Sequence, residues 1–346
     1  MAFLRWPGCV SMMKNVYRVF VSVLLGGGWL VPATPAAGQN LLFHSGFGEA
    51  VYLDSEFIDD DDGYVCEQLI LGEDLETGFS WPIEVLGGTG YLQYIGHDFH
   101  QALENEIQTV IGPGGTPTRA LYSVQHYGSP VGNIGQCPYT IDEITDGTSD
   151  LFIRYWIKIN ADYVNNVNGR GAWRTFFEWK SEDYAAGDGF RLIAFIYLDE
   201  GSDTPYWHWQ GDADPGSPVW EIDNREVPVP IGEWFLTEFF WHWNEGEDGR
   251  ALWKVNHQVI GDHLGPTTRN SKPIDFIMLT QIYGSTDDDV VTAKHQWVDD
   301  IEIWDGLPET TSEIFSDGFE SGDVGSWQDR DVPRGVEVAD TVVALE

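Results

Sequence analysis

The sequence predicts an all-β protein built as a sandwich of two sheets. Short runs rich in aromatic and β-branched residues recur through the middle of the chain, separated by Gly, Pro, Asn and Asp. Several runs alternate with a period of two, which is typical of strands with one buried face. No segment shows a long helical period. Many short strands at regular spacing favour a sandwich or jelly roll.

Eight runs carry this strand signal most clearly. They lie at residues 151–160, 173–181, 189–198, 205–210, 233–243, 250–260, 275–284 and 297–305. A chain of this size can hold them in a single all-β domain. We therefore predict one domain over residues 39–308, followed after the break "LPETTSE" by a linker and tail over residues 309–346.

Residues 1–38 are predicted to be an export signal. Lys14 and Arg18 precede an apolar run that is too short and too glycine-rich for a membrane span, and small residues around Ala36 and Gly38 offer a cleavage site. The mature protein is therefore expected to be secreted.

The charge of the chain excludes some partners. The signal holds three of the 18 Lys and Arg residues and none of the 56 Asp and Glu residues, so the mature chain keeps 15 basic against 56 acidic side chains. Such a surface repels nucleic acid phosphates and anionic membranes, and neither is expected as a partner.

Two cysteines remain after the signal is removed. In an oxidising compartment such a pair usually forms a bridge, so we expect a disulfide between Cys66 and Cys137. Closing a loop of this length stabilises the fold by roughly 4 kcal/mol in the chain-entropy model.

Three segments resemble parts of the concanavalin-like jelly roll. They are the hairpin "EWFLTEFFWHWNEGEDGRALWKVNHQVI", the closing strand "WVDDIEIWDG" and the opening strand "LFHSGFGEAV". Through "IRYWIKI" and "FFEWKS" the chain is most similar to secreted polysaccharide lyases of the heparin-lyase and alginate-lyase type. The resemblance implies a two-sheet jelly roll with a concave substrate platform.

Alternation within the strands predicts which side chains face that platform. The expected substrate-binding residues are Arg154, Trp156, Lys158, Gln210, His242, Gln281 and Tyr283. Basic residues placed within strands among aromatic ones are unusual in so acidic a chain. Aromatic rings stack on sugars while Arg and Lys hold carboxylates, so the expected partner is an extracellular acidic polysaccharide. The alternative is ordinary cross-strand pairing of these bases with acids.

The resemblance implies β-elimination on a uronate-containing polymer. A base removes the C5 proton, an acid protonates the leaving oxygen, and a cation or neutral donor stabilises the charge on the carboxylate. The candidate bases are His208, Tyr197, His242 and Tyr283, with His208 and Tyr197 predicted as catalytic. Arg174 and Lys180, expected on one face with Phe176 and Glu178, are the predicted neutralisers, and Gln281 is a further candidate. The alginate-lyase motif "QIH" is missing; "VQHY" at 124–127 offers only adjacent Gln and His.

Two other functions fit the same sequence. A non-catalytic carbohydrate-binding module would use the same aromatic and basic groove. A laminarinase-type glucanase would use Glu221 and Glu226, since "EIDNRE" has the spacing E-x-D-x-x-E of the nucleophile and acid. Prolines around this motif favour a loop over a central strand.

Calcium is the metal that the resemblance implies. Asp299 is expected to share its face with Ile301 and Ile303, and so to point inward near the backbone of residues 45–47. Carboxylate and carbonyl oxygens are the ligands that calcium prefers.

The phrase F-x-x-G-F occurs twice, at Phe43 and again at Phe315. The 32 residues from Phe315 to Glu346 are too few for an independent core. The tail "FSDGFESGDVGSW" resembles a short terminal element of secreted bacterial proteins, which implies a sorting or docking segment.

Overall fold

The computed structural model describes residues 39–59, 65–95, 103–126, 139–146, 148–164, 172–181, 189–213, 218–269, 274–284 and 293–308. Within them lie twenty strands and one single-turn 3-10 helix, Ala161–Tyr163. In chain order the strands are β1 (Leu41–Ser45), β2 (Tyr52–Asp59), β3 (Val65–Glu73), β4 (Ser80–Trp81), β5 (Glu84–Val85), β6 (Gly88–Ile95), β7 (Leu103–Ile111), β8 (Pro117–Gln125), β9 (Tyr139–Asp142), β10 (Asp150–Ile159), β11 (Ala172–Ser181), β12 (Arg191–Leu198), β13 (Tyr206–Asp212), β14 (Pro218–Asn224), β15 (Trp234–His242), β16 (Arg250–Val255), β17 (Gln258–Leu264), β18 (Ile274–Thr280), β19 (Tyr283–Gly284) and β20 (Lys294–Trp304). None of the helical segments among these residues is long and apolar enough to cross a bilayer.

The strands form two antiparallel sheets. Sheet A has eight strands in the order β17-β16-β15-β10-β20-β8-β7, and β1 pairs with the second half of β20. Sheet B has twelve strands in the order β14-β13-β12-β11-β18-β9-β6-β3-β2, with β4, β5 and β19 paired to β3, β6 and β11. The predicted two-sheet, all-β sandwich of the jelly-roll type is confirmed.

The core lies between the two sheets and is rich in aromatic residues. Alternate residues of each strand face it, because successive side chains of a strand point to opposite faces. Phe177 of β11 stacks on Phe239 of β15 with ring centroids 3.7 Å apart, and Trp179 stacks on Trp241 at 5.5 Å. These pairs join sheet B to sheet A, so aromatic packing sets how the two sheets meet at the centre.

The opening and closing strands pair, as the sequence predicts. Phe43 lies opposite Ile303 and Ser45 opposite Ile301. All four of these side chains are buried. The closing strand β20 therefore borders β1 along its second half and β8 along its first half.

A bulge in β20 shifts the alternation between these two halves. Asp299 pairs with Trp156 of β10 whereas Glu302 pairs with Arg154, so β20 contains one extra residue, and Asp300 has a positive φ of 52°. The prediction that Asp299 shares its face with Ile301 is therefore wrong. Asp299 lies on the face of Trp156, outside the main core.

Several predictions fall on residues outside the described ranges. These are the signal over residues 1–38, the linker and tail over residues 309–346, and Cys137. Cys66 is buried on β3, and its bridge to Cys137 stays a prediction.

Candidate functional site

The predicted groove residues divide between the outer faces of the two sheets. Arg154, Trp156, Lys158 and His242 belong to β10 and β15 of sheet A. Lys180, Tyr197, His208, Gln210 and Gln281 belong to sheet B or directly follow its strand β18. The prediction of one shared groove is wrong, because alternation identifies the face of a strand but not the sheet to which the strand belongs.

The charged groove residues of sheet A already have partners. An amino group of Arg154 lies 2.6 Å from Glu302 Oε1, and His242 Nδ1 lies 3.0 Å from Asp150 Oδ1. The ammonium group of Lys158 lies over the ring of Trp297, 5.6 Å from its centroid. This face therefore corresponds to the cross-strand pairing that the sequence left open as the alternative.

A small cluster of potential metal ligands lies beside Arg154. One ligand atom from each of His44, Asp300 and Glu302 lies within 4.8 Å of the others. The pKa of His44 is raised, chiefly by its 2.7 Å hydrogen bond to Asp300. Since Asp300 holds His44 and Arg154 holds Glu302, the arrangement is accounted for by ion pairing.

A second bulge, in β11, moves Arg174 away from the predicted site. Thr175 pairs with Phe195 and Phe177 pairs with Ala194, so Phe176 is the extra residue. Phe176 packs in the core, and Arg174 faces the interior on the side opposite to Lys180. The prediction that Arg174, Phe176 and Lys180 share one outer face is wrong.

Buried ion pairs connect three neighbouring strands at one end of the outer face of sheet B. Glu178 Oε1 lies 3.0 Å from Lys180 Nζ and 3.2 Å from Arg191 Nη1. Arg191 also donates to both oxygens of Asp212, the shortest contact being 2.7 Å, and Gln281 donates to Glu178. Burial acts to raise the pKa of Glu178, but the charges of Lys180 and Arg191 hold it below its usual value.

His208 lies further along the same face and has two oxygen partners. Its Nδ1 is 2.6 Å from Asp223 Oδ1, and its Nε2 is 3.0 Å from Gln210 Oε1. Gln210 donates its amide hydrogen to Asp212 Oδ2, which fixes the direction of the amide. Asp223 thus orients the imidazole through Nδ1, and Nε2 can exchange a proton with a ligand only after it leaves Gln210 Oε1, which accepts but cannot donate.

The strands around His208 carry aromatic rings and one arginine on this face. The ring of Tyr197 stacks on the imidazole with centroids 4.4 Å apart. Burial raises the pKa of Tyr197 to about 12, so its phenol is protonated at neutral pH. The guanidinium of Arg225 lies 3.5 Å from the centroid of Tyr206 and pairs with Asp199 at 2.7 Å. We call Tyr197, Tyr206, His208, Asp223 and Arg225 the His208 cluster.

The sequence did not identify Asp223 and Arg225 as site residues. Both lie in "EIDNRE", whose spacing is that of a glucanase motif. That spacing does not indicate that the segment pairs with β13. A strand pairing that places Asp223 opposite His208 was the missing information.

The two polar groups on this face lie toward opposite ends of β13 and are linked through Gln210. His208 and Asp212 are four residues apart on β13, which corresponds to roughly 13 Å along a strand. Lys180 lies at the Asp212 end, since it pairs with Arg191 and Arg191 pairs with Asp212. Lys180 therefore cannot serve the same sugar ring as His208. Tyr283 belongs to β19, whose backbone pairs with β11.

The glucanase motif is divided by the end of a strand. Glu221 lies on β14, which is an edge strand rather than the loop that the prolines indicated. Glu226 lies beyond the strand, in a turn where Asn224 Oδ1 accepts the backbone N–H groups of Glu226 and Val227. The two glutamates are therefore not carried by one strand.

Asp299 is buried beside the opening strand. A Cβ atom added to Gly46 would lie 3.5 Å from its Oδ1, and Thr118 donates to its Oδ2 at 2.9 Å. Burial raises the pKa of Asp299 to about 7. Asp74 approaches the same strand and accepts hydrogen bonds from Ser45 Oγ and the Gly46 N–H.

Comparison with known proteins gives similarities only at the level of structure. No family model matches the sequence, and no curated protein matches it. Among solved structures the chain is similar to alginate lyase Aly36B (15% identity, 57% of this chain, 82% of that chain, TM-score 0.41). It is also similar to the endo-β-1,4-glucuronan lyase of the fungus Trichoderma reesei (12% identity, 58% of this chain, 87% of that chain, TM-score 0.40).

A third similar structure, the binding domain of a botulinum neurotoxin of serotype D/C, is 11% identical and has a TM-score of 0.38, covering 74% of this chain and 49% of the other. Polysaccharide lyases are thus among the structures that this chain resembles, as the sequence motifs indicated. At TM-scores below 0.5 none of these similarities assigns a role to a residue, and function rests on the residues themselves.

Proposed function

We propose that this protein is a secreted, lyase-like protein that acts on a uronate-containing polysaccharide at the outer face of sheet B. The observation that carries the proposal is the His208 cluster. It combines an imidazole held by a carboxylate, a protonated phenol stacked on that imidazole and a guanidinium beside a second tyrosine. These groups have the chemistry that β-elimination requires.

Each group has a role in the proposed reaction. The substrate displaces Gln210 from His208, Nε2 of the neutral imidazole then removes the C5 proton of the uronate, and Asp223 stabilises the imidazolium that forms. Tyr197 donates its phenolic proton to the departing glycosidic oxygen, and the C4–O bond breaks as the C4–C5 double bond forms. Arg225 stabilises the negative charge on the uronate carboxylate. Lys180, toward the opposite end of this face, would contact a sugar unit away from the bond that is cleaved, whereas Gln281 is fully buried.

One observation favours a second function, the non-catalytic carbohydrate-binding module. In the described part of this face, Lys180, Arg191 and Arg225 are each engaged by an acid of the protein itself. A uronate must compete with those acids for the cations. A neutral sugar that stacks on Tyr197 and Tyr206 would not need to do so.

A substrate panel distinguishes these functions. The secreted protein is incubated with alginate, glucuronan, a heparin-type polymer, pectin and β-glucan, and both far-ultraviolet absorbance and reducing ends are followed. We expect an increase in absorbance on a uronate polymer, because elimination creates an unsaturated product. Binding without either signal would support the module, and reducing ends without unsaturation would support a hydrolase.

We also propose a structural calcium ion held by Asp299 and Asp74. Both carboxylates are buried near the opening strand, and oxygen donors of this type suit the ion. Bound calcium would neutralise the buried charge of Asp299 and would join β1 to β20. Because it would bind only the folded protein, it would stabilise the fold.

Chelation tests the calcium proposal. At a concentration one hundred times its dissociation constant, calcium would add about 2.7 kcal/mol of stability. For a domain of this size we expect a chelator to lower the melting temperature by roughly 5 to 10 °C.

The Asp299→Asn variant should lose this response, whereas Asp300→Asn, which breaks the His44 pair, should keep it. An identical melting curve of the native protein with and without chelator would overturn the proposal.

A further inference from the structure

Two polar side chains of the closing strand face the interior of the sandwich. Lys294, Gln296 and Val298 are alternate residues of β20 and so share one face. Val298 is part of the core, opposite Leu121 of β8, and Gln296 is opposite Ser123. Lys294 is 7% exposed and Gln296 is fully buried.

Neither side chain has a partner among the residues that the structure describes. Both the amide nitrogen and the amide oxygen of Gln296 are buried without a hydrogen bond. The ammonium group of Lys294 has neither a hydrogen bond nor an ion pair there, and Asp162 is the described acid whose charge acts on its pKa. Burying a charge and two polar atoms without partners is unfavourable, so two such side chains on one face of β20 indicate that a ligand compensates them.

A second cation faces Lys294 from the other sheet. The bulge in β11 turns Arg174 inward, where its guanidinium is close enough to act on Lys294. Burial first, and then the charge of Arg174, lower the pKa of Lys294 to about 8. Asp162, the acid that acts on Lys294 among the residues with described structure, accepts the backbone N–H of His295. Two facing cations in a chain with a net charge of −38 define a local site for an anion.

We propose that Lys294, Gln296 and Arg174 form a binding site for a small hydroxy acid of the sugar-acid class. The ligand carboxylate would accept hydrogens from the Lys294 ammonium and from Gln296 Nε2. A ligand hydroxyl would donate to Gln296 Oε1, an acceptor that a simple carboxylate cannot satisfy. This site lies inside the sandwich, on the opposite side of β11 from Lys180. The proposal does not depend on the lyase function.

Calorimetric titration of the whole secreted protein tests the proposal with D-glucuronate as the probe. We expect the protein to bind D-glucuronate at least tenfold more tightly than D-glucose, which lacks the carboxylate, and than acetate, which lacks the hydroxyls. Tighter binding of inorganic phosphate than of glucuronate would overturn the assignment to sugar acids.

Variants separate this site from binding at the outer face. Lys294→Gln should remove a glucuronate site that Lys254→Gln, at an outward position on β16, retains. Identical isotherms for the native protein and Lys294→Gln would contradict the proposal, even if the outer face binds uronates.

A nearly isosteric variant keeps the test valid if Lys294→Gln fails to fold. Gln296→Glu supplies an internal carboxylate next to Lys294. We expect it to raise the melting temperature without ligand and to abolish the glucuronate site. If Gln296→Glu binds glucuronate as the native protein does, the site does not exist as proposed.

Discussion

Replacement of His208 by asparagine is expected to reduce the formation of unsaturated product by about 10³-fold on whichever uronate polymer the protein cleaves. General acid–base catalysis by a positioned side chain contributes about 10² to 10⁴-fold, and the amide of asparagine is not basic enough to take up the proton. The initial rate of ultraviolet absorbance increase at saturating polymer measures this effect. Because the loss concerns proton transfer, kcat should fall while KM stays within about threefold.

A matched control for His208 is His263. Its ring also stacks on an aromatic residue, Trp220, with centroids 4.3 Å apart, but it lies on β17, outside the His208 cluster. His263→Asn should keep at least half of the native rate. Asp223→Asn should give an intermediate loss, since the imidazole remains while the carboxylate that orients it is gone. If His208→Asn retains more than a third of the native rate, His208 is not the base, and the face would then only bind carbohydrate.

The strands were predictable because their signal is local. The period-two alternation of side chains in "LFIRYWIKI" and "WFLTEFFWH" is visible in the sequence, and both segments are strands, β10 and β15. The pairing of the opening and closing strands was also predictable, from motifs at the two ends of the domain. In each case the local sequence of the segment is enough for the prediction, and no contact with a distant residue needs to be known.

The site was less predictable because it depends on bulges and on sheet membership. Period-two alternation assigns Arg174 and Lys180 to one face, yet the extra residue Phe176 places them on opposite faces. The bulge at Asp300 moves Asp299 off the face of Ile301 in the same way. Because a shift of one residue reverses every later side chain, a single unrecognised bulge invalidates a facing assignment.

Long-range pairing was the other missing information. His208 and Asp223 are fifteen residues apart, and only the antiparallel register of β13 and β14 brings their side chains within 2.6 Å. Prolines near Asp223 argued for a loop, but an edge strand tolerates proline where its N–H groups face outward. Neither Asp223 nor Arg225 could therefore be identified from local spacing.

Loss of the Asp212 carboxylate is expected to destabilise the fold by about 3 to 5 kcal/mol, because it leaves a largely buried guanidinium without its main partner. Asp212 is fully buried, and Arg191 donates to it through both Nε and Nη2. Urea unfolding of Asp212→Asn, compared with the native protein, measures this difference. The neutral side chain keeps the shape of the site, so the effect reports the charge rather than a cavity.

Arg250 and Asp262 provide the matched control, since they form the same two-point contact at 2.8 and 2.9 Å, with about a third of each side chain exposed. Asp262→Asn should cost under about 1 kcal/mol, because solvent screens an exposed pair. If Asp212→Asn also lowers the free energy of unfolding by less than about 1 kcal/mol, the buried network is contradicted. Arg191 would then be held only loosely by the protein, and a uronate carboxylate could take the place of Asp212. A large loss instead assigns Arg191 to the scaffold of sheet B and leaves recognition of acidic sugars to the His208 cluster.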